Sequence, residues 1–559
     1  MIAFFYSFFA ILVNYAMEFH SQNNRLIFIV LSFLVFITAF FVYRKTINYE
    51  LTDLDDTNFI HTCAPHYARE NALIEAFKQN VLFGGPTHYY RPLLSASFVI
   101  GYKIAGESER FGHLTNVLLH CICSVIVFLF LRGYIFKNKT FYDANISFAA
   151  ALLFAVHPLA IYTAAWIPGR NDSIFFINFT AALIFFIEYT DKRKLYFLAP
   201  HIFFTVLCLF TKESAVVVPF VFMFYYFTHK KRESKFPIAA CVLWLFFMFI
   251  FFYARKLALT EAGLPLKMLN FSDDNLGMFF DYYACAFFLR TPFGANVSTK
   301  IIITGTAAIF ASACFAFFNK KDKDQIKRGF FWFCFPFLFL AANIAGERLW
   351  FQGNRMYLPM LAIIILFFSF IKTFLRGQKS KILAAVFAAL TITAAIPITR
   401  GKAENFKNSL AFWEAVIGDS LKINITAHKF HSYALINNGR FQEAADEMLA
   451  ICERTNYSHG RMNYLLSLAL LLNGNFDSAA KLLEFMVGQK QMLTPQVYAN
   501  LIIACYFLND KEKTDFYFTG LAELTKASPE ELNGYINGYF KHLKSKIQTK
   551  SAAENHMPA

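Results

Sequence analysis

The chain has 559 residues, 57% of them hydrophobic and 16% charged, with 72 Phe and a formal net charge of +15. Such a composition excludes an ordinary soluble enzyme. The basic excess lies in short clusters between apolar runs, which is the positive-inside pattern of a membrane protein and not a nucleic-acid surface; no nucleic-acid partner is expected.

The first 16 residues, "MIAFFYSFFAILVNYA", are apolar but carry no basic n-region and no small-residue cleavage pattern. They read as an extra helix or as an upstream mis-start before Met17, and residues 1–25 are set apart as a lead. Apolar runs long enough to cross a ~30 Å hydrocarbon core then recur. The predicted spans are 26–43, 112–131, 145–165, 172–190, 195–211, 214–228, 236–254, 300–318, 329–346, 357–371 and 382–398, eleven in all.

Basic clusters follow the second span (Arg132, Lys137, Lys139), the fourth (Lys192, Arg193, Lys194), the sixth (Lys230, Lys231, Arg232, Lys235), the eighth (Lys320, Lys321, Lys323, Lys327, Arg328) and the tenth (Lys372, Arg376, Lys379, Lys381). All five therefore fall on one side, assigned as cytoplasmic. Met278 to Leu289, "MFFDYYACAFFL", is too short to span and would put the Lys320 cluster on the wrong side if counted, so it is expected as an interfacial or re-entrant helix.

Beyond Pro397 the composition turns amphipathic and soluble-looking. "NNGRFQEAADEML" (Asn437 to Leu449) is repeated as "LNGNFDSAAKLLE" (Leu472 to Glu484), with Gly439, Phe441, Ala444 and Ala445 recurring as Gly474, Phe476, Ala479 and Ala480 at a 35-residue period. That period predicts a tetratricopeptide-type array of helix pairs, in which Gly makes the turn and Ala lets the helices approach. A third, degenerate unit puts Asn509 and Asp510 at the turn.

The ten Cys show no Cys-x-x-Cys spacing, so neither a disulfide framework nor a zinc site is expected.

The polar motifs fall on the face opposite the basic clusters. "NYELTDLDDTNFIHT" packs Asp53, Asp55 and Asp56 together; adjacent carboxylates near a dry site hinder each other's ionisation, so one can serve as an acid/base, although the residues alone slightly favour a solvated acidic loop, short acidic runs being common. His113, Asn116 and His120 share one helical face, a polar stripe with no third metal ligand. "HPLAIYTAAWIPGRND" places His157, Arg170 and Asp172 at a hairpin, with Arg170 either an anion clamp or an interfacial partner of Asp172. Lys212 and Glu213 separate two spans by almost nothing and form either a self-neutralising turn or a phosphate contact. In "GERLWFQGNRMYLPML", Arg348 and Arg355 suit a phosphate, while Trp350 and Tyr357 read as aromatic-belt anchors.

The ordered set "DLDD", "RPLLSASFVIGY", "FGHLTNVLLH", "FAVHP…WIPGRND", "TKE" and "NRMYLP", followed by repeats, resembles the transmembrane and tetratricopeptide repeat-containing O-mannosyltransferases and their bacterial relatives, of the GT-C class. The resemblance runs from about Asp53 into the repeats. It implies an all-α polytopic GT-C core and sugar transfer from a polyprenyl-phosphate-linked donor, with an acidic residue of the first outer loop as base. Asp55 and Asp56 match the family's Asp pair, Arg91 its RPL motif, and His113, Asn116 and His120 its H-x-x-N-x-x-x-H stripe. Two positions depart from the pattern: Tyr162 and Asn354 stand where family members usually carry Glu.

The expected organisation is a lead (1–25), a transmembrane core (26–400) with its first outer loop at 44–111, an extracytoplasmic repeat domain (401–550) and a tail (551–559). The expected function is a glycosyltransferase of a bacterial cytoplasmic membrane, moving mannose or another hexose to a protein or glycan acceptor with inversion. Asp55 and Asp56 are the expected catalytic pair, and Arg170, Lys212, Arg355 and Arg348 the donor-phosphate ligands. Arg91, His113, Asn116, His120, His157, Asp172 and Glu213 support them. Membrane lipid surrounds the core; no cofactor is assigned, and a divalent cation is compatible with the carboxylates. The competing class is a non-enzymatic membrane scaffold that recruits envelope proteins through its repeats; the loop carboxylates discriminate the two.

Overall fold

The computed structural model describes residues 7–8, 10, 22–136, 141–230, 236–260, 273–292, 299–317, 323–341, 352–374, 378–420 and 424–554. Arg348, Trp350, the segment 1–6 and parts of four basic clusters lie outside them. Within them the chain is all-helical, without a strand. Contacts divide it into Met1–Ala411 and Phe412–Ala559.

In the first unit a helix lies in each of the eleven predicted span regions. By length and composition five described helices can cross a membrane, and six if the pair Tyr142–Val156 and Pro158–Ala164, bent by 49°, counts as one span. The chain is thus an integral membrane protein. Several other predicted spans are short apolar helices, among them Leu195–Thr211 and Pro359–Thr373. The bend follows from Pro158, which cannot donate to the ladder, and from His157, whose ring caps the new turn by accepting from Leu159 N at 3.2 Å.

Helices Glu109–Phe130 and Arg170–Lys192 form the buried centre, Glu109–Phe130 being flanked by Gln22–Tyr43 and Phe141–Val156 and Arg170–Lys192 by Leu198–Thr211. The basic ends gather at one end of this bundle. Lys372 pairs with Asp143, and Lys230 with Asp191. Tyr134 Oη donates to Glu188 at 3.0 Å, and Lys192 pairs with the same carboxylate at 2.8 Å. Tyr225 packs on Phe331, which brings the Arg328 end to the same place. Partners drawn from five inter-span breaks thus meet, as charges taken partly out of water must.

The segment at 278–289 belongs to a longer helix, Asp273–Phe288. Its 16 residues rise about 24 Å, still short of the hydrocarbon core, and Asp281, Tyr282, Tyr283 and Cys285 are buried against protein. Tyr357 corrects the belt assignment: it is fully buried and bonds His120 Nδ1 at 2.7 Å, where a belt residue would face headgroups.

The second unit contains three helical hairpins, Ile425–Asn437 with Phe441–Arg454, Gly460–Leu472 with Phe476–Gly488, and Pro495–Phe507 with Lys511–Thr525, followed by Pro529–Glu554. The three turns place Gly439, Gly474 and Asn509 at φ 73°, 85° and 58°. This left-handed conformation is one that Gly adopts freely and Asn tolerates, so the third turn keeps the geometry without the glycine. Ala444, Ala445, Ala479 and Ala480 are buried between the helices. All ten Cys are free.

Candidate active site

The segment 49–91 and the helix Pro92–Ala105 fold into a small layer with its own core, in which Phe59, Ile60, Tyr67, Phe83, Leu94 and Phe98 are buried together. Phe59 stacks on Phe98 with centroids 4.6 Å apart. This layer closes over the end of the bundle opposite the basic clusters, leaving a cavity of about 710 Å³. Asp55, Arg91, Asp172, Lys212, Glu213, Asn354 and Arg355 all line it.

The acidic loop divides its carboxylates. Asp53 takes a left-handed φ of 53° and accepts from Thr57 Oγ1 at 2.8 Å. The chain then turns so that Asp55 and Asp56 point apart. Asp55 opens onto the cavity; the protein around it raises its pKa, and the nearby Arg91 pulls it back. Asp56 is fully buried and does not line the cavity. Its Oδ2 accepts from Thr52 N at 2.8 Å and Thr52 Oγ1 at 2.9 Å. Burial pushes Asp56 up to about 6 even though the Thr52 bonds favour the charged form.

The remaining charges come from places where helices stop. Asp172 lies in the first turn of Arg170–Lys192, and Lys212 in extended backbone after Leu198–Thr211. Arg355 belongs to the short turn Gly353–Met356. Lys212 Nζ donates to Asp172 Oδ1 at 2.7 Å, and Asn354 Nδ2 donates to Asp172 Oδ2 at 2.8 Å. Burial lowers the Lys212 pKa and Asp172 counters it. Glu213 turns the other way, accepting from Arg91 Nε at 2.9 Å and Tyr90 N at 3.0 Å. Arg91 also stacks on Tyr89 at 4.1 Å. Burial works to lower the Arg91 pKa, but Glu213, Tyr89 and Asp172 together outweigh it and the net shift is upward. Lys212 and Glu213 therefore do not neutralise each other; each reaches a different helix.

Asn354 has a physical rationale at a position where a carboxylate is usual. It donates to Asp172, which a carboxylate there would repel. Gly353 beside it touches Tyr162 so closely that a Cβ would come within 2.3 Å of the ring. Tyr162, the other departure, is fully buried and donates to Pro292 O.

Besides Asp56, five predicted residues lie off the cavity wall. Arg170 is buried, donating to Asn116 Oδ1 at 3.0 Å and Gly112 O at 2.9 Å, with its guanidinium 4.2 Å over Phe98. It pairs with neither Asp172 nor open space. Asn116 gives its amide to Thr163 O, Trp166 O and Ile167 O at 3.0, 2.7 and 3.0 Å. His120 bridges Tyr357 and Ala155 O, and His157 Nε2 meets Ala286 O at 3.0 Å. His113 is also buried. Asn116 and Arg170 tie the bent hairpin 157–170 to the helix Glu109–Phe130 beneath the cavity, and His157 ties it to Asp273–Phe288.

Sequence reasoning passed over Asn80, Asn58 and His66. Asn80 is buried and shapes the cavity rim, donating to Gly85 O at 2.8 Å and accepting from Leu82 N and Gly84 N. Asn58 and His66 line the wall beyond Asp55. The Asn-x-x-x-Gly-Gly-Pro spacing was the available signal for the first. Among the described residues no group of three or more His, Cys, Asp or Glu is arranged to hold a metal.

No family model matches the chain. It is similar to the protein O-mannosyl-transferase TMTC1 of Mus musculus, 28% identical over 157 residues, which is 26% of this chain and 16% of that protein. A Caenorhabditis elegans protein O-mannosyl-transferase, F38B6.6, is 28% identical over 155 residues, 28% of this chain and 21% of its own. The protein O-mannosyl-transferase TMTC2 of Mus musculus is 35% identical over 104 residues, 19% and 12% of the two chains. The matches thus span about a fifth or less of these relatives.

Proposed function

We propose that the chain is a membrane glycosyltransferase that moves a sugar, mannose or another hexose, from a polyprenyl-phosphate-linked donor to a protein or glycan acceptor. The observation that carries this reading is the cavity itself, with a carboxylate of raised pKa, Asp55, on one wall and the cations Lys212 and Arg355 on another. The similar proteins, named as protein O-mannosyl-transferases, favour mannose and a protein acceptor.

In this reading the acceptor hydroxyl attacks the anomeric carbon as the bond from that carbon to the phosphate oxygen breaks. Asp55 takes the hydroxyl proton, and the departing phosphate is met by Lys212 and Arg355. Direct displacement inverts the sugar carbon. Asp56 holds the loop through Thr52, and the Arg91–Glu213 pair keeps the loop's far end against the hairpin at Lys212. Arg170, Asn116, His113, His120 and His157 act as the frame beneath.

The active site and the repeats are assigned to the extracytoplasmic side of a bacterial cytoplasmic membrane, the repeats being tetratricopeptide-type and serving as an acceptor-docking surface. This assignment is supported by the basic ends gathering away from the cavity.

The test is conversion of synthetic polyprenyl-phosphate mannose or glucose to free polyprenyl phosphate by the purified full chain, with glycosylated acceptors followed by mass spectrometry. Turnover that disappears in Asp55→Asn supports the enzyme; surface glycans unchanged between cells with and without the chain would favour a scaffold.

A further inference from the structure

The short helix Ala72–Glu75 and the turn after it are amphipathic in the wrong sense for a water-exposed loop. Ala72 and Ala76, the small residues, point into the core of the layer and are buried. Leu73, Ile74 and Phe77, the large apolar ones, point outward and are 46%, 60% and 42% exposed. Burial in water favours the opposite arrangement, because each large side chain gains more on leaving water than an Ala does.

The outward face lies beside the cavity-side ends of apolar helices of the bundle. Phe77 meets Phe210 edge-on at 5.9 Å, and Phe210 meets Phe251 at 6.1 Å. Phe251 belongs to Ile238–Thr260, one of the five helices able to span, whose other face exposes Val242, Leu245, Phe249 and Phe252 at helical spacing. Exposed Lys78 lies beside the patch. The same structure grips the cavity rim: Tyr90 Oη donates to Phe77 O at 2.7 Å, and Arg255 donates to His88 O at 3.2 Å.

The geometry points to Leu73, Ile74 and Phe77 as a membrane-docking wedge that enters the headgroup–acyl boundary of the leaflet on the cavity side. The occupant is the lipid surface, since the patch lies beside the cavity-side end of Ile238–Thr260, a helix able to span whose outer face stays apolar and exposed to that end at Phe252, Tyr253 and Leu257, and large apolar side chains at such a boundary leave water by entering it. Tyr90 ties the rim of the cavity to the wedge at Phe77, and Arg255 ties it at His88 to the spanning helix, so the rim is held at leaflet level. That this presents the cavity to a lipid-linked phosphate rests on the transferase reading; the docking itself does not.

The full chain, with its reactive native cysteines replaced, is reconstituted into nanodiscs of phosphatidylcholine and phosphatidylglycerol with a nitroxide at Ile74→Cys or, as the aqueous reference, at Asn71→Cys. Power saturation is expected to show the Ile74 label relaxed several-fold more by oxygen than by an aqueous nickel chelate, and the Asn71 label the reverse. Relaxation by the chelate as strong at Ile74 as at Asn71 overturns the proposal. Should Ile74→Cys fail to fold, Leu73→Trp gives the same contrast by quenching with brominated acyl chains. No donor or acceptor is present, so the result stands apart from any assay of glycosyl transfer.

Discussion

Lys212 reaches across 40 positions of sequence to place its ammonium 2.7 Å from Asp172, passing over the carboxylate adjacent to it in the chain. Both side chains are nearly buried, and removing one partner strands the other's charge. Asp172→Asn is expected to cost about 3–5 kcal/mol of stability, whereas Asp172→Asn with Lys212→Met recovers part of that loss. Thermal unfolding of the four-member cycle in detergent measures the coupling; additive losses would show the pair to be energetically idle.

Asp55→Asn is expected to lower glycosyl transfer by roughly 10²–10⁴-fold, the range of a lost general base, with donor binding retained. Asp56→Asn is expected to retain measurable turnover, because Asp56 is tied to Thr52 and faces away from the cavity. Single-turnover assays on both variants decide the assignment. Loss of the reaction in Asp56→Asn alone would transfer the base to the buried residue.

Arg91 lowers the Asp55 pKa against the effect of burial. Arg91→Gln removes that influence, so Asp55 holds its proton to higher pH and the acidic limb of the pH–rate profile moves upward. The profile of kcat against pH is the measurement; an unmoved limb would mean that the titrating group lies elsewhere.

Asp56 is raised from 3.8 to about 6 by burial. The folded chain then binds a proton that the unfolded chain has released, so stability is highest below about pH 4, falls as pH rises to about 6, and is level above. The window is worth about 3 kcal/mol at 1.36 kcal/mol per unit. Asp56→Asn is expected to lose this slope while keeping the Thr52 bonds through its carbonyl, as read from melting temperature at several pH values.

Reporter fusions after Lys235 and Lys323 are expected to read cytoplasmic, and one after Asn424 extracytoplasmic. A cytoplasmic reading at Asn424 would separate the repeats from the face assigned to the cavity.

Much of the architecture is written locally in the chain. Apolar length and basic clusters specify helices and their common end, since a segment's transfer to lipid and a Lys at its margin depend on that segment alone. The 35-residue recurrence marks the hairpins, and their turn positions share one φ sign even where Asn509 replaces Gly. The location of the site was legible as well, because polar motifs at the breaks between apolar runs converge at one end.

The division of labour inside that site was not legible. Adjacent Asp55 and Asp56 look alike in sequence, yet one faces a cavity and the other a threonine hydroxyl, a difference set by the left-handed turn at Asp53. Arg170 and Lys212 read alike as anion contacts, yet Asn116 and Gly112 of another helix hold Arg170 off the cavity wall, whereas Lys212 pairs with Asp172 and still lines it. The physical reason is common to all three: spacing determines which face of its own element a residue occupies, but a buried charge must find its partner among whichever elements pack there, and only the tertiary contacts decide whether that partner leaves the charge free to act.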